Sequence, residues 1–174
     1  MSVIAKSLDV VVWLKLLSSG SRKTFAQLSS ELGMSASEIH SSVRRGAVAG
    51  LIDPKSRMPL RKPLEEYLLF GVRYAFPAKR GPVTRGIPTS YAAPALAEYF
   101  RAHDDLPPVW PDPHGSTKGH ALEPLFKPIT KAVRQDPQLY QLLALIDAIR
   151  DGRARERKLA EDKLRSLLAN AYSP

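Results

Sequence analysis

The chain has 174 residues, enough for one compact domain or two small ones with a real core. It has no cysteine, which excludes disulfides, thiolate catalysis and Cys-built zinc sites. Lys and Arg number 26 against 17 Asp and Glu, a formal charge of +9. The excess is uneven: residues 55–85 hold eight basic and two acidic residues and so carry +6 of it. Such a field suits a polyanionic partner, and a solubilising surface is the alternative reading. The longest early apolar run, residues 10–14, is far too short to span a bilayer, and no export signal is recognisable. A cytoplasmic protein with access to the nucleoid is expected.

In chain order, Ser7 is suited to cap a first helix over residues 8–17. Leu8, Val10, Val11, Val12, Trp13, Leu14, Leu16 and Leu17 give it more than one apolar face, so it should be covered on two sides. One cover is the helix pair that follows; the other is either the C-terminal region or a second protomer. Residues 24–52 then carry two capping-box patterns, Thr24 with Gln27 and Ser35 with Glu38. Gly33 lies between them, where a first helix must stop and turn left-handed. Phe25, Leu28 and Leu32 share one face of the first predicted helix; Ile39, Val43 and Gly50 share one face of the second, residues 36–49. Leu51 and Ile52 read as the start of a strand. The opposite face of the second helix carries Ser37, Ser41, Arg44 and Arg45, with His40 at its edge. Short polar residues and arginines are what a helix uses to read a DNA major groove.

This stretch resembles the winged helix-turn-helix domain of bacterial transcription regulators of the MarR type. The likeness is carried by Thr24, Phe25, Leu28, Leu32, Gly33, Ser35, Ile39, Val43, Gly50, Leu51 and Ile52, and residues 1–65 can be laid on the pattern. It implies a recognition helix in the major groove and a wing beside it. Pro54, Pro59 and Pro63 leave little room for paired strands, so a short or irregular wing is expected.

Pro63 suits the first position of a further helix over residues 64–74, with Glu65 and Glu66 favourable in its first turn. Residues 76–94, with four prolines and two glycines, should hold no long regular element. In and just before this stretch Tyr74, Phe76 and Tyr91 interleave with Arg73, Lys79, Arg80 and Arg85, a pattern found where phosphates are contacted and bases stacked, though aromatics also plug cores. A short helix is expected over 95–103, an irregular loop over 106–119 pinned by Trp110, and a helical segment over 122–133 broken at Pro124 and Pro128. Asp136 and Pro137 start a helix to about residue 151 with Leu139, Leu142, Leu143, Ile146 and Ile149 on one stripe; a second helix, residues 154–170, folds back on it after Gly152. Basic residues cluster at their bend, among acidic ones, as a solvated face with ion pairs.

The expected fold class is therefore mainly α: a winged helix-turn-helix domain (1–75), a proline- and glycine-rich basic region of loops and short helices (76–135), and a C-terminal helical hairpin (136–174). No phosphate-binding glycine loop and no GxSxG motif occurs. His103, Asp104, Asp112, His114 and His120 could be combined into a metal set, but no pair is fixed on one element. No enzyme, metal or cofactor is expected. The expected function is sequence-specific binding of double-stranded DNA as a homodimer, in transcription regulation. Ser35, Ser37, His40, Ser41, Arg44 and Arg45 would contact DNA from the recognition helix, and Lys55, Arg57, Arg61 and Lys62 from the wing. Arg73, Lys79, Arg80 and Arg85 are further candidate phosphate contacts. The alternative is a protein- or RNA-binding interaction module, such as the antitoxin of a toxin–antitoxin pair.

Overall fold

The computed structural model describes residues 4–101 and 105–171. Helix α1 (Ser7–Ser18) is the centre of the molecule. Val10, Val11, Val12, Trp13 and Leu14 are five consecutive residues with no exposure, which a helix reaches only when it is covered on every side. Its cap is not the Ser7 hydroxyl: Lys6 holds the cap position, and its N–H donates to the Asp9 carboxylate at 2.8 Å.

Helix α2 (Phe25–Leu32) starts at the expected box. Gln27 N–H donates to the Thr24 hydroxyl, and Thr24 N–H donates to the Gln27 side chain. Gly33 ends it in the left-handed region at φ 69°. Helix α3 (Ala36–Val48) is capped by Ser35, which accepts from Glu38 N–H at 3.1 Å. The reciprocal half of that box is missing, because the Glu38 carboxylate lies on Arg45 at 2.8 Å instead. Gly50 is not on the apolar face of α3; it is exposed, at φ 74°, in the turn after the helix. The glycine that packs is Gly46. A Cβ there would stand 2.5 Å from Ile52 Cγ1 and 2.7 Å from Trp13 Nε1, so α3 lies against α1 only because that position is bare. Trp13 Nε1–H donates to Ser42 O across the same contact.

The wing is short. A single antiparallel bridge joins Ile52 to Pro59, closed by Asp53 N–H to Met58 O and Leu60 N–H to Leu51 O. Helix α4 (Arg61–Glu66) begins two residues before Pro63, so Glu65 and Glu66 lie beyond its first turn. It runs through a π-helical turn (Tyr67–Gly71) into α5 (Val72–Ala75). Leu64, Leu68, Leu69 and Val72 face the core from this run.

Residues 76–122 depart most from expectation. Strands β1 (Arg80–Pro88), β2 (Pro108–Pro111) and β3 (Thr117–Leu122) close into a small ring in which each strand pairs with the other two. β1 is antiparallel to both neighbours, and β2 and β3 are parallel. The prolines are tolerated because of where they sit: Pro82 falls in the register shift between Arg80 and Val83, and Pro88, Pro108 and Pro111 end their strands. The ring is tight because its backbones touch. A Cβ on Gly86 would lie 2.0 Å from Trp110 O, one on Gly115 2.3 Å from Gly86 C, and one on Gly119 2.1 Å from Pro107 O. The helix expected over 95–103 is replaced, in its described part, by a 3-10 turn (Ala97–Tyr99).

Helix α6 (Ile129–Gln135) follows Pro128, and α7 (Pro137–Asp151) and α8 (Ala154–Ala171) form the C-terminal pair. α7 ties the halves together. It packs on α1, which identifies the second cover of that helix as this chain's own C-terminal region and withdraws α1 as a protomer interface. It also anchors the ring: Trp110 Nε1–H and the Thr89 hydroxyl each donate at 2.7 Å to Asp147, which is buried and paired with Arg150 at 2.8 Å. Arg150 donates on to Phe76 O, and Tyr140 OH donates to Pro88 O. The result is a mainly helical α/β chain whose apolar core is one cluster from α1 to α8.

Candidate nucleic-acid interface

Helix α3 has two distinct faces. Ile39, Ser42, Val43, Arg45 and Gly46 are buried, and Ser37, His40 and Arg44 are exposed, with Ser41 half-buried between them. Spacing of three and four residues keeps Ser37, His40, Ser41 and Arg44 on one stripe. Val48, 61% exposed, extends that stripe by one turn. Sequence reasoning omitted Val48, although its distance of four from Arg44 was the available signal.

Arg45 departs from expectation. It is 5% exposed; its Nε and Nη2 donate to the two oxygens of Asp9 at 2.8 and 2.6 Å, and Nη2 also meets Glu38 at 2.8 Å. Asp9 is fully buried on α1, so this bidentate pair locks α3 across α1 and removes Arg45 from the outer face. Arg44, one residue earlier, is exposed and makes no ion pair among the described residues. Ser35 is exposed, but its hydroxyl is engaged as the cap, so a ligand there would meet backbone N–H groups of the first turn.

The cations on the segment after α3 divide. Lys55 is exposed at the turn, beside Asp53. Hydrogen bonds from Ser56, first of all, hold the Asp53 carboxyl below its ordinary value. Arg61 and Lys62 are exposed at the start of α4 and make no ion pair among the described residues. Arg57 is drawn back: it sits at φ 61°, with its guanidinium 4.8 Å over the Phe25 ring, and that ring meets His40 edge-on at 5.5 Å. Arg57 therefore places its charge at the α2–α3 junction rather than at the turn near Lys55.

Of the remaining cations, Arg80 is exposed, but both ends of its fork are bound by Asp151, at 2.9 and 2.7 Å, so its charge is already paired. Arg73 stacks 4.8 Å over Tyr74, and Lys79 is 3.9 Å from Glu123. Arg85 is exposed on β1 directly opposite Lys118 of β3, a cation that sequence reasoning missed because neither strand was anticipated. The aromatics split as well. Tyr91 meets the buried Phe100 edge-on and Phe76 packs against the core, whereas Tyr74 is open to solvent. His103 and Asp104 lie outside the described residues. Among the described residues no group of three or more His, Asp or Glu is placed to hold a metal, and no helix is long and apolar enough to cross a membrane. Asp112 is buried and engaged, accepting from His114 N–H and paired with Arg134.

Comparison of the chain with protein families, with curated proteins and with solved structures finds no match.

Proposed function

We propose that the chain is a sequence-specific double-stranded DNA-binding protein of winged helix-turn-helix type, acting as a homodimer in transcription regulation, with α3 as its recognition helix. The observation that carries this is the division of α3. Its inner face is fixed to α1 by Arg45, Gly46 and the Trp13–Ser42 hydrogen bond, and its outer face carries the stripe Ser37, His40, Ser41, Arg44 and Val48. A rigid helix with a short polar stripe and one unpaired arginine suits a major groove. Arg44 reaches a guanine by a two-pronged hydrogen bond, and Val48 packs on a thymine methyl. The exposed cations Lys55, Arg61 and Lys62 lie on the segment that follows α3, where a wing tracks the phosphate backbone.

The test is selection of bound duplexes from a random pool by the full chain. A shared motif with two inverted half-sites about one helical turn apart supports the reading. Failure to enrich any sequence overturns it and favours the interaction-module alternative, in which the same surface meets a protein such as a toxin, or an RNA.

A further inference from the structure

The run α4–α5 turns a second face to solvent, and that face is not polar. Phe70 is 62% exposed and Tyr74, four residues on, 72% exposed. They stand side by side on the side of the run opposite Leu64, Leu68, Leu69 and Val72. Two large exposed rings on one helix face make a small apolar patch, and it is the charges beside them that give the patch a direction. The charges around them are ordered. Glu66 is exposed one turn before Phe70 and makes no ion pair among the described residues; Arg73 lies at the other end, stacked on Tyr74.

We infer that this face pairs with a second copy of the chain, helix against helix, antiparallel about a two-fold axis near Phe70. That arrangement is the one the charge order selects. In an isologous contact each end of the patch meets the opposite end of its partner, so Glu66 of one protomer faces Arg73 of the other, twice, with the four rings between them. A parallel arrangement sets like charge against like. The inference takes up the dimer of the DNA-binding reading, and it is measured without DNA, so the two can fail separately. Size also follows. Four rings at this exposure bury on the order of 500 Å² of apolar surface, well under the roughly 1,200–2,000 Å² of a stable interface. The dimer is therefore weak and dissociates on dilution, and two half-sites on one DNA would hold it together.

Sedimentation velocity of the full chain over a hundredfold concentration range, without DNA, tests this. The expected result is a mass that rises from monomer toward dimer. Phe70→Ser with Tyr74→Ser should return the chain to monomer while leaving the melting temperature in place. Glu66→Arg and Arg73→Glu should each weaken dimerisation by about tenfold or more, and the two together should restore it, because the swapped ends still pair. If the serine variant has unfolded, its melting curve shows it, and the charge swap decides. A chain that is monomeric throughout, a dimer indifferent to the ring and charge variants, or a swap that fails to restore association overturns the inference.

Discussion

Lys15 on α1 places its ammonium 2.5 Å from Oδ2 of Asp136, whose other oxygen accepts from Leu139 N–H to cap α7. One carboxylate thus starts a C-terminal helix and binds the N-terminal one to it. Glu31 of α2 completes the cluster at 2.7 Å from the same ammonium. Burial works against the charge on Lys15, but its two carboxylate partners outweigh it and raise its pKa above the ordinary 10.5.

The two tasks of Asp136 separate by substitution. Asn keeps the cap and loses the charge; Ala loses both. Asp136→Ala should therefore be less stable than Asp136→Asn by about 1 kcal/mol in urea unfolding, the usual value of a cap. Equal losses would mean that the charge contact carries the whole effect.

Arg44 and Arg45 are neighbours that face opposite ways. Arg45→Ala leaves the buried Asp9 carboxylate without its bidentate partner and should cost about 3–5 kcal/mol of stability. Arg44→Ala should leave the melting temperature alone and weaken specific DNA binding by roughly 1–3 kcal/mol, relaxing preference at one base pair. Gel-shift titration beside thermal melting reads both. A stable Arg45→Ala variant, or an Arg44→Ala variant with parental DNA affinity, refutes the corresponding assignment.

Acid should unfold the chain partly through Asp112. Burial pushes its carboxyl up, but Thr130, His114 N–H and the Arg134 guanidinium outweigh it and hold the group below its ordinary 3.8. A carboxylate with a depressed folded pKa adds stability that is fully present above the unfolded value and is lost as pH falls through the folded one. Asp112→Asn should thus be less stable than the parent at neutral pH, and the gap should narrow as the pH drops below the ordinary carboxylate value. A gap unchanged down to the acid limit would show that the charge on Asp112 contributes nothing.

The local signals in the sequence were the readable ones. Thr24 with Gln27, Gly33, and Asp136 with Pro137 each act within a single turn, and helix ends formed at all of them. What lay hidden depends on distant partners. Arg45 looked like an outward residue because its ligand, Asp9, is thirty-six positions away on a helix that crosses it. Pro82, Pro88, Pro108 and Pro111 read as breakers of regular structure, yet each sits at a bulge or a strand end, and the pairing of β1 with β3 joins residues as far apart as Arg80 and Leu122. Gly46, Gly86, Gly115 and Gly119 carry no periodic signal, since their role is the atom they lack. The face of α3 was legible as a stripe, with Arg45 wrongly included and Val48 left out.

The cations after α3 differ in their surroundings, and salt dependence is the sharpest check on the proposed DNA interface. Arg57 is stacked on Phe25, whereas Lys55, Arg61 and Lys62 are exposed. Each phosphate contact releases condensed counterion, so each one lost lowers the slope of log affinity against log salt by about one unit. Replacing Lys55, Arg61 and Lys62 by Ala together should reduce the slope by roughly two to three. It should weaken specific and random duplexes alike, because phosphates carry no sequence. Arg57→Ala should behave differently, with a smaller change in slope and a loss of about 0.5–2 kcal/mol of stability from the half-buried Phe25 stack. If the triple variant keeps the parental slope, the segment after α3 lies off the DNA. Arg44, with Arg85 and Lys118 on the ring, would then have to account for whatever electrostatic affinity the chain shows.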